Sequence, residues 1–321
     1  MKKKVLFHRH YRKFQGAHLS FWHYYRFVQE SSRFEAQIHF SSDSLWDASN
    51  PWLAEKERAL TEWEPEKADI LVLGLVDWPM LSVSQRLRPP CPIIHPVLGT
   101  RVADTIDEVY PTLKYRAVRI CPSEETARTI LDTGIVNGPV FVVPHGIDTT
   151  AYPKPKPFNK RSIELLIAGL KNPSLAGELK TALKDSFKKK FPFYRDPVEV
   201  LTDLIPRQNF LEKLSDAKMT LFLPNPKEGF YRPILEGMAL ETLCLSPRFL
   251  GKCDRYVEKI SFLTCDYKKE ELLELCRQAS KLSPLEIGCI IAAGKKAVLE
   301  SSIEVQRDRF LDILDRARDL Y

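Results

Sequence analysis

The chain has 321 residues, 44% hydrophobic and 28% charged, with a net charge of +6. That composition excludes a disordered or fibrous chain, and the length predicts about two domains. No apolar run approaches the roughly 18 residues a membrane span needs, and the opening MKKKVLFHRH reads as a first strand rather than a signal peptide.

The first half alternates short apolar runs with helix-like segments. Val5–His8 is a predicted strand, His18–Gln29 an aromatic-rich helix, and Gln37–Phe40 and Ile70–Leu75 are further strands. Ile93-Ile94, Ala117–Cys121 and Val140–Val143 follow. Ser123 is a predicted N-cap for a helix running through Leu131 and ending near Gly134. Such alternation implies a mostly parallel sheet covered on both faces. Tyr152–Lys160 (YPKPKPFNK) then reads as a stiff, extended link. Beyond it, strands are predicted at Ile163–Ala168, Val198–Leu201, Met219–Leu223 and Leu243–Leu245. Helices are predicted near Glu178–Lys189, Asn209–Ser215, Pro233–Leu240 and Glu270–Ala279, with a helical tail from Pro284 to Leu320. The predicted organisation is a first domain over 1–151, a linker over 152–161, a second domain over 162–303 and a terminal helix over 304–321.

Seven cysteines (Cys91, Cys121, Cys244, Cys253, Cys265, Cys276, Cys289) are scattered without a C-x-x-C. The pattern predicts reduced thiols in a cytoplasmic setting, not a disulfide framework or a zinc site. Basic residues gather at Lys2–Lys4, His8–Lys13 and Lys184–Lys190. They suit solvated faces, anionic substrates or, in the first domain, peripheral contact with the inner face of a membrane. Nucleic acid is not an expected partner, because no motif for it is present. His8-Arg9-His10 has the H-x-H form but lacks accompanying ligands, so no metal is expected there; an anionic group is the better partner for that strand end.

The densest chemistry lies in Pro224–Pro247, PNPKEGFYRPILEGMALETLCLSP. Thr220–Leu223 is a short strand that Pro224 and Pro226 end. A loop carries Glu228 and Gly229, and Pro233 suits the first helical position. Glu236 falls one turn into that helix. The arrangement offers backbone N–H groups to phosphate and carboxylates to diols. The segment resembles the E-x7-E region of retaining GT-B glycosyltransferases, the large group whose pattern reads P-S-x-x-E-G-F-G-L-P-x-L-E-A-M-A-C-G-T-P-V.

The resemblance extends to VVPHGIDTTAY (Val142–Tyr152), similar to the family's V-I-P-N-G-[VI]-D, although Gly146 and Asp148 also read as a simple turn. It extends to CPIIHPVLGT (Cys91–Thr100), whose His95 matches the histidine lining the donor-sugar site. It implies a GT-B fold, with two Rossmann-like domains facing each other across a cleft and the last helix crossing back. It implies a metal-independent retaining transferase using a nucleotide-diphosphate sugar and a glycan or lipid-linked acceptor, with no cofactor. No D-x-D occurs in the chain. Carried over by position, Glu236 would take the ribose hydroxyls. Glu228 would hold the donor sugar with the backbone of Gly229, Phe230 and Tyr231, and His95 would contact a sugar hydroxyl.

The chain departs from the family where relatives read G-R-x-x-x-x-K-G. Here Gly169 is followed by Leu170 and Lys171, so Lys171 would serve the diphosphate, with Arg232 a further phosphate partner. The first loop carries one glycine, Gly16, where relatives have two. Leu240 and Glu241 replace small residues and glycine, which would reshape the nucleotide pocket. A non-catalytic sugar-nucleotide-binding relative and a nucleotide-sugar epimerase-like enzyme are the alternatives.

Overall fold

The computed structural model describes residues 2–193, 196–249 and 261–321. Cys253 lies outside them. Two compact units are present: Met1–His145 with Glu304–Tyr321, and Gly146–Ile303.

The first unit carries β1 (Lys3–Arg9), α1 (Gly16–Glu30), β2 (Phe34–Phe40), β3 (Ile70–Val72), α2 (Val83–Leu87), β4 (Ile93–Pro96), β5 (Val118–Cys121), α3 (Glu124–Leu131) and β6 (Val140–Val142). The six strands are parallel, in the order β2-β1-β3-β4-β5-β6. Local chemistry sets the ends of α3. Ser123 Oγ accepts from the Thr126 N–H at 3.2 Å, and Gly134 supplies φ +70° just beyond the helix. Phe21, Tyr24, Tyr25 and Trp52 are core residues, whereas Trp22 and Trp46 are half-buried.

Arg119, fully buried on β5, donates to five carbonyls: Ala117, Asn137, Thr112, Leu113 and Tyr115. It thereby ties together the irregular backbone around it, adding to the backbone N–H groups that the Asn137, Leu113 and Thr112 carbonyls already accept. Burial lowers its guanidinium to about 10, and it remains charged at neutral pH.

The second unit carries β7 (Ile163–Ala168), α4 (Pro173–Lys190), β8 (Val198–Leu201), α5 (Arg207–Asp216), β9 (Ala217–Phe222), α6 (Arg232–Ala239), β10 (Leu243–Pro247), β11 (Leu263–Cys265), α7 (Lys269–Ala279) and α8 (Pro284–Glu300). Its sheet is parallel, ordered β11-β10-β9-β7-β8. Side chains alternate along β7. Leu165 and Ile167 pack with Leu179, Leu183 and Leu272, while Leu166 and Ala168 pack with Leu211, Leu214, Ile234 and Met238. Both faces are therefore covered, which is why these strands read as mainly apolar runs.

The division between units falls at Gly146, ahead of the proline-rich stretch, so Tyr152–Lys160 belongs to the second unit. Ile147 pairs with Ser302, and Tyr152 packs on the second unit's core. A Cβ on Gly146 would lie 2.4 Å from the Ser302 carbonyl oxygen, so this glycine serves close backbone approach rather than a turn. Asp148 does form the turn, accepting from the Thr150 N–H at 2.9 Å.

The tail, α9 (Ile303–Asp315) and α10 (Ala317–Leu320), lies largely in the first unit. Phe310 packs on Tyr24 with ring centroids 4.4 Å apart, Arg318 pairs with Asp69 at 2.8 Å, and the Tyr321 hydroxyl donates to the Arg116 carbonyl at 3.1 Å.

Among the described residues no helix is long and apolar enough to cross a membrane.

Candidate functional site

In both sheets the first strand lies between the second and the third, so the chain reverses direction of assembly there. Ligands of open α/β sheets bind outside the carboxyl ends of the strands at such a switch point. In the second unit the switch lies between β7 and β9. The loops leaving those two strands are 169–172 and 223–231, and they carry most of the residues singled out by sequence.

Gly169 ends β7, its N–H bonded to the Leu201 carbonyl at 2.9 Å. A Cβ there would lie 2.2 Å from the Ala176 Cβ, so glycine lets the first turn of α4 close onto the strand. Asn172 caps α4, accepting from the Leu175 N–H at 3.3 Å, and Pro173 follows in the first turn. Lys171 is exposed in this loop.

After β9, Asn225 shapes a tight turn. Its side chain accepts from the Lys227 N–H at 2.9 Å, and its carbonyl accepts from the Glu228 N–H at 2.9 Å. This turn presents Glu228. Burial raises the Glu228 carboxyl above its ordinary range, while Lys171 and the Asn225 backbone pull it back. Lys171 and Glu228, on the two loops that flank the switch point, attract each other. Tyr267, beyond β11, donates to the Pro224 carbonyl at 3.0 Å and pins the loop from the side.

Gly229, Phe230 and Tyr231 are buried on the approach to α6. Arg232 opens the helix, Pro233 sits in its first turn, and no side chain caps its N-terminus. Tyr231 is buried, and its hydroxyl is raised by burial first, then by the charges of Glu228 and Glu236.

Glu236 is 2% exposed. Arg207 Nη1 lies 2.7 Å from its Oε1, a charge contact off the line of a directed hydrogen bond. Arg207 Nη2 donates to the Tyr152 hydroxyl at 3.1 Å. Glu236 Oε2 accepts no hydrogen bond from the described residues. Sequence reasoning missed Arg207 and Tyr152. Arg207 opens α5 in a segment without a motif, and Tyr152 stood as linker.

Glu241 does not touch this arrangement as expected. It lies past the C-terminus of α6, at φ 58°, and pairs with Lys295 at 2.7 Å. Glutamate occupies the left-handed helix-ending position that glycine ordinarily fills.

The two remaining predicted residues are in the first unit. His95 is fully buried on β4, against Trp78 at 5.4 Å, and both ring nitrogens lack hydrogen-bond partners among the described residues. Burial, reinforced by Arg119, holds it neutral. Reaching a sugar hydroxyl from there requires neighbouring side chains to move. Gly16 begins α1, and the space around it is open, so nothing local demands glycine.

At the first sheet's switch point the basic residues are answered within the chain. Arg9 pairs with buried Asp77 at 2.8 Å and lies over the Phe21 ring at 4.1 Å. Asp77 also accepts from the Gly74 N–H at 2.6 Å. Arg9 Nη2 donates to His18 Nδ1 at 3.2 Å. His8 and His39 share an Nδ1···Nδ1 bond of 3.0 Å, and His10 and Arg12 both pair with Asp43. The expected free cationic strand end is therefore largely neutralised. Among the described residues no three His, Cys, Asp or Glu side chains gather as metal ligands.

No protein-family model matches this chain, and no curated protein matches it. Solved structures do. The Anabaena protein Alr3699/HepE, in complex with UDP-glucose, is similar at TM-score 0.73 and 11% identity, covering 97% of this chain and 99% of that one. A glycosyltransferase from Rickettsia africae matches at TM-score 0.64 and 12% identity, covering 98% of each chain. The lipopolysaccharide outer core galactosyltransferase WaaB matches at TM-score 0.63 and 13% identity, again covering 98% of each. Two parallel α/β units of six and five strands, matched end to end by such structures, give this chain the GT-B fold of two Rossmann-like domains.

Proposed function

We propose that the protein is a retaining, metal-independent glycosyltransferase that moves a sugar from a nucleotide-diphosphate sugar to a glycan or lipid-linked acceptor. One observation carries the reading. Glu236 is a nearly enclosed carboxylate, one turn into the helix that follows the second sheet's switch point; its buried Oε1 has only the Arg207 charge contact and no directed hydrogen bond from the described residues. A buried carboxylate with acceptor capacity unmet is costly, and such groups concentrate at ligand sites.

In this reading Glu236 Oε2 accepts from the donor ribose, and Glu228 binds hydroxyls of the sugar. Lys171, Arg232 and the uncapped start of α6 stabilise the diphosphate as it leaves, which is electrostatic stabilisation of developing charge. Leaving-group charge is answered by fixed protein groups, so no step calls on a metal. Structural similarity to a UDP-glucose complex supports a nucleotide-sugar donor.

The test is turnover of UDP-, GDP- and ADP-sugars in chelator-treated buffer, with the anomeric configuration of the product read by NMR. Transfer with retained configuration supports the proposal. Inverted product refutes the retaining mechanism, and epimerised donor selects the epimerase-like alternative. Donor binding without turnover toward a broad acceptor panel selects the non-catalytic one.

A further inference from the structure

Glu236 is not held by its own helix. Its fixed oxygen meets Arg207 from α5, and Arg207 is in turn held by Tyr152, which precedes β7. We propose that Arg207, steadied by Tyr152, is a positioning residue that orients Glu236 toward a ribose diol and so sets a preference for ribo- over 2′-deoxyribonucleotides. This rests on the donor-site reading of Glu236.

The geometry is that of a clamp. Nη1 contacts Glu236 at 2.7 Å, Nη2 contacts the Tyr152 hydroxyl at 3.1 Å, and the guanidinium carbon lies 5.8 Å from the Tyr152 ring centroid. Two contacts from two different nitrogens fix a planar fork, which a lysine cannot reproduce. Burial works against the Arg207 charge, but Glu236 and Tyr152 outweigh it and keep the guanidinium protonated.

With Oε1 held, rotation of the carboxylate is restricted and Oε2 has one place to be. An oriented carboxylate oxygen on a largely buried side chain accepts well from hydroxyls that match it. It favours less a ligand that lacks one, because an oxygen fixed in direction cannot re-aim to another donor. A ribose offers two adjacent hydroxyls and a 2′-deoxyribose only one. A freely rotating carboxylate would re-aim toward water or toward the remaining hydroxyl and discriminate less. The guanidinium is partly exposed, at 42% of its side chain, so its removal need not unfold the unit.

The experiment is calorimetry in metal-free buffer with UDP, ADP and GDP and their 2′-deoxy counterparts, on wild type, Arg207→Ala, Arg207→Lys and Tyr152→Phe. The wild type is expected to bind the preferred ribonucleotide about tenfold or more tighter than its deoxy form. Arg207→Ala brings that ratio to within about threefold, mainly by weakening the ribonucleotide. Arg207→Lys and Tyr152→Phe fall between, and Tyr152→Phe keeps the wild-type unfolding midpoint, which separates positioning from folding. An Arg207→Ala protein that weakens both forms equally, leaving the ratio unchanged, overturns the positioning role while the donor site stands. A wild type that discriminates less than about twofold overturns it too. A folded wild type that binds none of the six nucleotides overturns the donor-site reading beneath it.

Discussion

Lowering the pH should destabilise the first unit through His8, by an amount the structure sets. His8 is 1% exposed, its Nδ1 3.0 Å from His39 Nδ1 and its Nε2 3.2 Å from Ser41 Oγ. Burial, which outweighs the pull of Asp77, lowers it from 6.5 to about 4. The folded chain therefore binds its proton less readily than the unfolded chain does. Stability from the neutral ring is complete above the unfolded value and is lost as the pH falls from 6.5 toward 4. Linkage puts the loss at ~2 kcal/mol by pH 5 and ~3 kcal/mol below pH 4. The assay is urea unfolding at fixed temperature from pH 8 to pH 4.5, on wild type and His8→Gln. Glutamine retains polar groups near Ser41 but does not titrate. The variant should start less stable and then lose ~2 kcal/mol less between pH 8 and pH 5. Parallel curves would show that His8 is not the buried neutral group described, and would refute the reasoning.

Arg119→Met should cost the first unit ~2 kcal/mol by urea unfolding, because five carbonyls lose a charged donor together, although three of them keep a backbone N–H. Glu241→Gly should raise stability by ~1 kcal/mol, since glycine removes the left-handed strain and the half-exposed Lys295 pair offsets only part of it. A melting temperature that falls instead would contradict the assignment of strain. Glu228 ionises at higher pH in the folded chain than its ordinary value near 4.5. Its protonated form therefore contributes stability below the unfolded value that is lost as the pH rises through the folded one. Glu228→Gln should consequently match wild type in acid and exceed it at neutral pH in thermal unfolding, while losing donor turnover; equal neutral-pH stability would count against a desolvated carboxylate.

The strands of both sheets were legible because parallel strands buried on two faces leave apolar runs, as in 165–168 of β7, where only the buried, Lys218-paired Glu164 interrupts the strand. β11 was not, since three half-buried residues carry neither a run nor an alternation. The sequence reading began α4 at Glu178. The helix starts at Pro173, under an Asn-Pro signal that had been weighed only as a departure from the phosphate motif. Glu228 and Glu236 were legible because a loop and a helix start separate them within one segment. Their partners were not: Arg207 and Tyr152 meet only through tertiary packing, as do His8 and His39 across β1 and β2. The basic strand end at His8–Lys13 misled for the same reason. Its neutralising carboxylates, Asp77 and Asp43, come from later loops. Motif spacing reports what one segment presents, whereas charge balance depends on what the fold brings beside it.

The central claim is that Glu236 holds the ribose of a nucleotide donor. Calorimetric titration of nucleoside diphosphates and nucleotide sugars, without metal, into wild type and Glu236→Ala tests it most directly. The account predicts selective binding of one nucleoside diphosphate by the wild type, and affinity for it reduced at least ~10-fold in the variant, the loss of a charged hydrogen bond. Equal binding by both proteins, or no binding by a folded wild type, would contradict it.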